Sequence, residues 1–308
     1  MSKHRAILIA GPTASGKSAS AMAVAEQLGG VVVNADSMQV YRDLRVLTAR
    51  PGEDDERRVP HRLYGHVDAG DRYSVGRWLK DVSEAIVQAG QSGRIPVITG
   101  GTGLYFKTLL DGLSPVPDIP GDIRARWRDA AIEMDAHALH ELLKERDPEM
   151  ADRLRPSDSQ RVVRALEVLE ATGHSLARWQ DLPGEPVLAE TDVLRLRVSP
   201  PRDVLYDRID RRFDAMLDNG ALEEVRVLEA RGLDPGLTAM RAIGMRPLMS
   251  HLRGELGLEE ATDRAKTETR RYAKRQETWA KSNMIAWNHI KEKEMESLMS
   301  AIFSFIDV

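Results

Sequence analysis

Apolar residues in the first hundred positions come in short unbroken runs rather than alternating with polar ones. Ala6-Ile7-Leu8-Ile9-Ala10, Val31-Val32-Val33 and Ile95-Pro96-Val97-Ile98-Thr99 each fit a strand buried on both faces. Between them lie segments of helical character: an alanine-rich stretch running to Leu28, stopped by Gly29-Gly30, and another around Ser74–Ala89. Such alternation predicts a parallel sheet with helices on its faces, whose ligands bind beyond the carboxyl ends of the strands. Three strand ends then share one mouth: the segment after Ala10, the segment Asn34-Ala35-Asp36, and the turn Gly100-Gly101-Thr102-Gly103.

The pattern changes further on. Ser114-Pro115-Val116-Pro117-Asp118-Ile119-Pro120-Gly121 places three prolines in six residues, which denies helix and strand alike. From about Asp122 to Gly173 the spacing is helical with no strand candidate, and a loop over Asp181–Thr191 closes the segment. Val193-Leu194-Arg195-Leu196-Arg197-Val198 alternates with period two, like a strand returning to the sheet. The remainder, from Asp203 to the end, reads as helical. The chain is therefore expected to be α/β, with an all-α insertion domain at 118–192 inside a core formed by 1–117 and 193–308. No internal repeat or low-complexity tract interrupts it.

The first strand leads into Gly11-Pro12-Thr13-Ala14-Ser15-Gly16-Lys17-Ser18, which is G-x-x-x-x-G-K-S opening a helix. That context is what a phosphate-binding P-loop needs: backbone N–H groups curl around phosphate oxygens, Lys17 brings a point charge, and Ser18 offers a hydroxyl to Mg²⁺. It makes the core a P-loop NTPase-like parallel sheet flanked by helices. Asp36, after the second strand, either serves chemistry at the mouth, as a water-mediated Mg²⁺ ligand or proton acceptor, or caps a following helix. In the second glycine-rich turn, Thr102 offers a hydroxyl opposite the P-loop.

Charge sharpens two segments. The 308-residue chain carries a net charge of −4, yet Arg264–Lys281 holds seven basic residues against Glu268 and Glu277, with Tyr272 and Trp279 interleaved. Basic charge beside aromatic rings suits nucleic-acid backbone and unpaired bases; a solvated helix whose Tyr272, Gln276 and Trp279 face the core is the alternative. In the insertion, Val162, Leu166 and Leu169 share an apolar helix face, with Arg161 and Arg164 beside it. His137 and His140 lie three apart but have no further ligands, so no metal site is expected there. The chain has no cysteine, which excludes disulfides, thiolate metal sites and Cys nucleophiles. No apolar run approaches the roughly 20 residues of a membrane span, and the N-terminus leads into a strand rather than a signal-peptide core. A cytoplasmic location and no membrane partner are expected. On residues alone, a small-molecule kinase with ATP on the P-loop and a P-loop RNA binder without chemistry both stay open.

Taken together, these segments resemble the bacterial-type tRNA dimethylallyltransferases (tRNA isopentenyltransferases). The resemblance rests on Gly11–Ser18, Asp36-Ser37-Met38-Gln39-Val40-Tyr41, Thr48-Ala49-Arg50-Pro51, Pro60-His61-Arg62-Leu63 and Gly100–Lys107. It continues through Ser159-Gln160-Arg161, Arg164–Val168, Ala242-Ile243-Gly244 and Ala273-Lys274-Arg275-Gln276-Glu277-Thr278-Trp279, in order over nearly the whole chain. It implies transfer of a dimethylallyl group from dimethylallyl diphosphate to the exocyclic amine of the adenine immediately 3′ of the anticodon. The tRNAs concerned read codons beginning with U, and the product is N6-dimethylallyladenosine.

By the same resemblance, the P-loop from Gly11 to Ser18, with Mg²⁺ on Ser18, would hold the diphosphate leaving group, and Lys17, Asp36 and Thr102 would be catalytic. The anticodon stem-loop would touch Asp36, Ser37, Met38, Gln39, Thr102 and Arg124, then Gln160, Arg161, Val162, Val163 and Arg164 in the insertion. Arg241, Ala242, Ile243, Gly244, Met245 and Arg246 would follow, and last Lys274, Arg275, Gln276, Glu277, Thr278, Trp279, Ala280 and Lys281. A monomer is expected. Two departures stand out. Arg45-Val46-Leu47 replaces the family's usual Asp-Ile-Gly, and Met245 stands where an aromatic residue is usual.

Overall fold

The computed structural model describes residues 4–306, which leaves the first three residues of the N-terminal segment outside it. Two compact units divide the chain: one formed by the described residues up to 110 together with those from 187 on, the other by 111–186. The chain enters and leaves the second unit at Gly112 and Gly184. A Cβ on Gly112 would lie 2.3 Å from the Glu185 nitrogen, and one on Gly184 2.5 Å from the Gly112 carbonyl carbon. Only glycines allow that close backbone crossing, and it sets the unit at 111–186 rather than at the 118–192 read from the sequence.

The strands are β1 (Ala6–Ala10), β2 (Val31–Asn34), β3 (His61–Arg62), β4 (Pro96–Gly100), β5 (Val193–Val198) and β6 (Asn288–Ile290). Helices α1 (Lys17–Leu28), α2 (Glu53–Arg58), α3 (Val75–Gln91) and α4 (Gly103–Asp111) come first. Then follow α5 (Gly121–Glu133), α6 (Ala136–Arg146), α7 (Pro148–Arg153), α8 (Ser159–Thr172) and α9 (Leu176–Gln180). The last group is α10 (Arg202–Asp218), α11 (Ala221–Ala230), α12 (Met245–Leu252), α13 (Leu258–Asn283) and α14 (Met295–Phe305).

All six strands form one parallel sheet in the order β3-β2-β4-β1-β5-β6. Alternate residues of β1 enter two separate cores. Ile7 and Ile9 join Val24, Val97 and Leu196 on the face covered by α1 and α14, while Leu8 joins Val33, Ile98 and Phe106 on the other. Burial on both faces is why β1, β2 and β4 read as unbroken apolar runs. The period-two pattern of β5 has a different origin. Its two arginines are also covered, and each is neutralised: Arg195 by Glu190 and Arg197 by Glu277. Two short edge strands carry too few residues to show a period, so β3 and β6 escaped the sequence reading, and the segment after Asp203 is not wholly helical.

In the second unit α5 to α9 enclose a core of Trp127, Leu139, Leu143, Val162, Leu166 and Ala177. The Nε2 of His140 lies 3.1 Å and 3.0 Å from the Ala151 and Leu154 carbonyls, which makes it a core histidine. Among the described residues no three His, Asp or Glu side chains cluster as metal ligands, and no helix is long and apolar enough to cross a membrane.

Candidate active site

The carboxyl ends of β2, β4 and β1 are adjacent, and hydrogen bonds join the loops that leave them. Gly11 N–H donates to the Gly100 carbonyl (3.3 Å), Ala35 N–H to Thr99 (2.7 Å) and Thr102 N–H to Ala35 (3.2 Å). Gly11 must be glycine, since a Cβ there would lie 2.4 Å from the Val198 carbonyl oxygen. Within the P-loop, Ala14 (φ 63°) and Gly16 (φ 96°) adopt left-handed backbone, the kind of conformation from which anion-binding loops are built. Lys17 Nζ donates to the Pro12 carbonyl at 3.1 Å. Burial lowers the Lys17 pKa to about 8; Asp36 opposes that shift and Arg212 adds to it. Ser18 is exposed at the start of α1.

Two residues from distant parts of the chain complete the loop. Arg212, on α10, donates to the Thr13 hydroxyl. Its guanidinium pKa is pushed down by burial and partly restored by Asp36. Gln276, on α13, accepts from Thr13 N–H through Oε1 (2.9 Å) and donates from Nε2 to the Gly101 carbonyl (2.9 Å). One side chain therefore ties the P-loop to the second glycine-rich turn. Sequence reasoning missed Arg212, which sits in a charged helix with no motif around it. Gln276 was found but given a different role.

Asp36 is half-buried at the mouth, and no helix follows it until α2. Its Oδ1 instead accepts from Met38 N–H at 2.9 Å, an Asx turn that fixes the carboxylate. Buried Asn34 sets the backbone beneath: its Oδ1 accepts from Asp36 N–H (2.8 Å), and its Nδ2 donates to the Asp36 and Leu63 carbonyls (both 3.0 Å). Thr102 Oγ1 accepts from Ser37 N–H at 3.0 Å. The Asp36 charge reaches Lys17 and Arg212, and it raises the phenol pKa of Tyr64, Tyr105 and Tyr272, each already raised by burial.

A cavity of about 260 Å³ opens between these groups. Thr13, Arg212, Asp36 and Ser37 line it together with apolar Met38, Leu47, Phe213 and Met216. Tyr272 and Arg275 separate it from a second cavity of similar volume beside Gly101, Thr102 and Trp279. Arg275 lies over the Tyr272 ring, 5.6 Å from its centroid.

The residues expected to touch tRNA fall into two groups. Lys274, Arg275, Thr278 and Lys281 on α13, Arg241 and Arg246 near α12, and Gln160 and Arg161 on α8 are exposed; Arg124, Val163, Arg164, Ile243 and Trp279 are partly so. Val162, Ala242, Met245 and Ala280 are core side chains, and Gly244 is covered by Phe213 and Leu47. Glu277 is committed to Arg197 at 2.7 Å. Gln39 spends its amide N–H groups on the Thr48 and Ala49 carbonyls (2.9 and 3.1 Å). The basic segment is also less free than its sequence suggests. Arg264, Lys266 and Arg270 pair with Glu260, Asp214 and Asp210, so α13 serves core, α10 and solvent on three faces.

The departure at 45–47 has its own support. The Glu224 carboxylate accepts from Arg45, Val46 and Leu47 N–H at 2.6, 2.8 and 2.9 Å. The loop's left-handed residue is Ala49 (φ 51°), not Leu47, so the position where glycine is usual tolerates a side chain.

Comparisons with known proteins agree along the chain. The IPP transferase family profile matches residues 39–283 and the isopentenyl transferase profile residues 4–67. A tRNA dimethylallyltransferase of Parvibaculum lavamentivorans is 54% identical over 303 residues, covering 98% of this chain and 96% of its own length. The same-named protein of Nitrobacter hamburgensis is 53% identical over 298 residues, with 96% and 94% covered. The crystal structure of a tRNA isopentenylpyrophosphate transferase from Bacillus halodurans superposes with a TM-score of 0.70 at 31% identity, covering 97% of this chain and 94% of that one. A eukaryotic dimethylallyltransferase acting on tRNA gives 0.76 at 29% identity, covering 89% and 69%.

Proposed function

The chain belongs to the IPP transferase family, the tRNA dimethylallyltransferases, and on that premise we propose how its mouth carries out the transfer of a dimethylallyl group to a tRNA adenosine. The donor is dimethylallyl diphosphate. The acceptor is the exocyclic amine of the adenine 3′ of the anticodon in tRNAs reading codons beginning with U. One observation carries this reading: a single cavity is lined by Thr13 of the P-loop, by Arg212 and by Asp36. A phosphate-binding loop residue, a cation and an amine-orienting acceptor thus share one cavity with apolar side chains suited to a short prenyl chain.

The P-loop N–H groups, Lys17 and Arg212 would hold the diphosphate and stabilise charge as the allylic C–O bond breaks. Mg²⁺ fits this set: Ser18 is exposed, the donors are oxygens, and among the described residues no carboxylate cage competes for it. Bound by Ser18 and the diphosphate, the ion would supply further neutralisation of the leaving group. The adenine must leave its stack to reach the cavity. Asp36, fixed by its Asx turn, would accept a hydrogen bond from the amine and take its proton after the new N–C bond forms. Thr102 positions the Asp36 segment through Ser37 N–H.

The exposed cations of α13 and of α8 would grip the anticodon stem-loop. On this reading the chain works as a monomer in the cytoplasm, where its tRNA substrate would be met. The test is incubation with Mg²⁺, radiolabelled dimethylallyl diphosphate and unmodified tRNA carrying adenines on both sides of the anticodon, then nucleoside digestion. Label on the adenosine 3′ of the anticodon is expected. Absence of label, with hydrolysis of ATP when ATP is offered, would replace this reading with a kinase.

A further inference from the structure

Beyond the mouth, a groove of about 430 Å³ forms where the loop after β5, the start of α10, α13 and the residues around the end of β6 come together. Arg202, Lys274, Lys281 and Lys291 line it, all exposed, and among the described residues none of the four has a carboxylate within ion-pairing distance. The single carboxylate lining the groove, Glu277, is neutralised by buried Arg197 at 2.7 Å. His289 also lines it; its imidazole pKa is pushed down by burial and then by Arg197, Lys291 and Lys281, with Glu277 opposing. Helix α10, seventeen residues long, begins at the groove after Pro201, so its free first-turn N–H groups add partial positive charge. Arg202 lies over the Tyr206 ring, 4.9 Å from the centroid.

We propose that this groove binds the sugar–phosphate backbone of the RNA substrate, extending the footprint from the outer face of α13 onto Arg202 at the start of α10 and Lys291 after β6. The proposal rests on the reading of this protein as a tRNA-modifying enzyme. The form of the groove selects a polyanion over a small phosphate metabolite. Its cations are exposed and drawn from three places in the chain, the start of α10, α13 and the segment after β6, whereas a small-anion site needs buried donors held in one geometry. Exposed cations along an open groove gain most from a polyanion, because each neutralised phosphate releases condensed counterions.

The experiment measures tRNA affinity of the full chain across a range of salt concentrations, for wild type and for the double variant Arg202→Gln/Lys291→Gln. The slope of log affinity against log salt should become shallower by about 1 to 2, since each lost phosphate contact removes about 0.7 to 0.9. Affinity at about 0.1 M salt should fall roughly three- to thirty-fold. The loss should appear in KM for tRNA, and the charge-preserving pair Arg202→Lys/Lys291→Arg should restore the slope. Lys80→Gln on α3 reports the effect of losing one cation away from the groove and should leave the slope at its wild-type value.

If the double variant keeps the wild-type slope, or if Lys80→Gln flattens it equally, the groove lies outside the footprint. A loss confined to KM for dimethylallyl diphosphate would make it a small-phosphate site and also overturn the proposal. A wild-type protein that transfers no dimethylallyl group would bring down the enzyme reading itself, an outcome separate from these.

Discussion

At the scale of single residues, the mouth is organised by one carboxylate among cations and phenols. Asp36 opposes the loss of charge on Lys17 and Arg212, so its own removal has two separable effects. Asp36→Asn keeps an acceptor for Met38 N–H and the local shape but takes away the charge. Turnover should fall by about 10²–10⁴-fold, the range for a lost proton acceptor, with tRNA affinity nearly unchanged. Equal losses in both would make Asp36 a binding residue. The second effect concerns pH. Lys17, with its pKa lowered to about 8, is charged below that value and neutral above it. In the free enzyme, kcat/KM for the diphosphate donor should therefore decline as pH rises through about 8. Lys17→Arg should move this limb to higher pH, because a guanidinium stays charged. Asp36→Asn should move it lower, because the carboxylate no longer supports the ammonium. A limb that ignores both substitutions would belong to the substrate rather than to Lys17.

At the scale of elements, helix α13 shows what a sequence motif can and cannot convey. Its basic composition was legible, and so was the possibility that Tyr272, Gln276 and Trp279 face inward. Hidden from the sequence was that the helix carries exposed cations on one face and inward-turned Tyr272, Gln276 and Trp279 on another, since ion-pair partners on α10 and the Gly101 carbonyl lie far away along the chain. The P-loop, Asp36 and Thr102 were legible because each follows a buried strand directly. Arg212 and Arg197 were not, because their meaning depends on Thr13 and on Glu277, contacts that only the fold makes. Gln276 is the sharpest case. Its side chain joins Thr13 to Gly101, so Gln276→Ala should cost about 2 kcal/mol, for two hydrogen bonds of roughly 1 kcal/mol each. Thermal unfolding should shift down accordingly, and KM for dimethylallyl diphosphate should rise. The salt dependence of tRNA binding should stay as in wild type. Weakened tRNA binding with normal stability and an unchanged KM for dimethylallyl diphosphate would return Gln276 to the RNA footprint.

At the scale of the whole molecule, the insertion is legible as a change of pattern, from buried strands to uninterrupted helices, but its limits are not, because they depend on a backbone crossing between Gly112 and Gly184. Inside the first unit the two chain segments meet just as closely: Val187 and Leu188 N–H both donate to the Leu109 carbonyl, at 3.1 and 3.2 Å. The sheet is already complete without the insertion, since β5 pairs with β1 along its length. The phosphate loop, Asp36, Thr102, Arg212 and Gln276 all lie in this unit. Replacing 111–186 by a short glycine–serine linker should therefore leave a folded protein, because only a short gap must be closed and loop-closure entropy changes slowly with length. Dimethylallyl diphosphate should still raise its unfolding temperature, as any ligand of the native state does. Affinity for tRNA should fall, because Gln160, Arg161 and Arg164 leave with the helices, and prenyl transfer should fall with it. Retained tRNA affinity in a protein of normal stability would remove the helical unit from the footprint. Loss of donor binding would instead mean that the unit shapes the mouth.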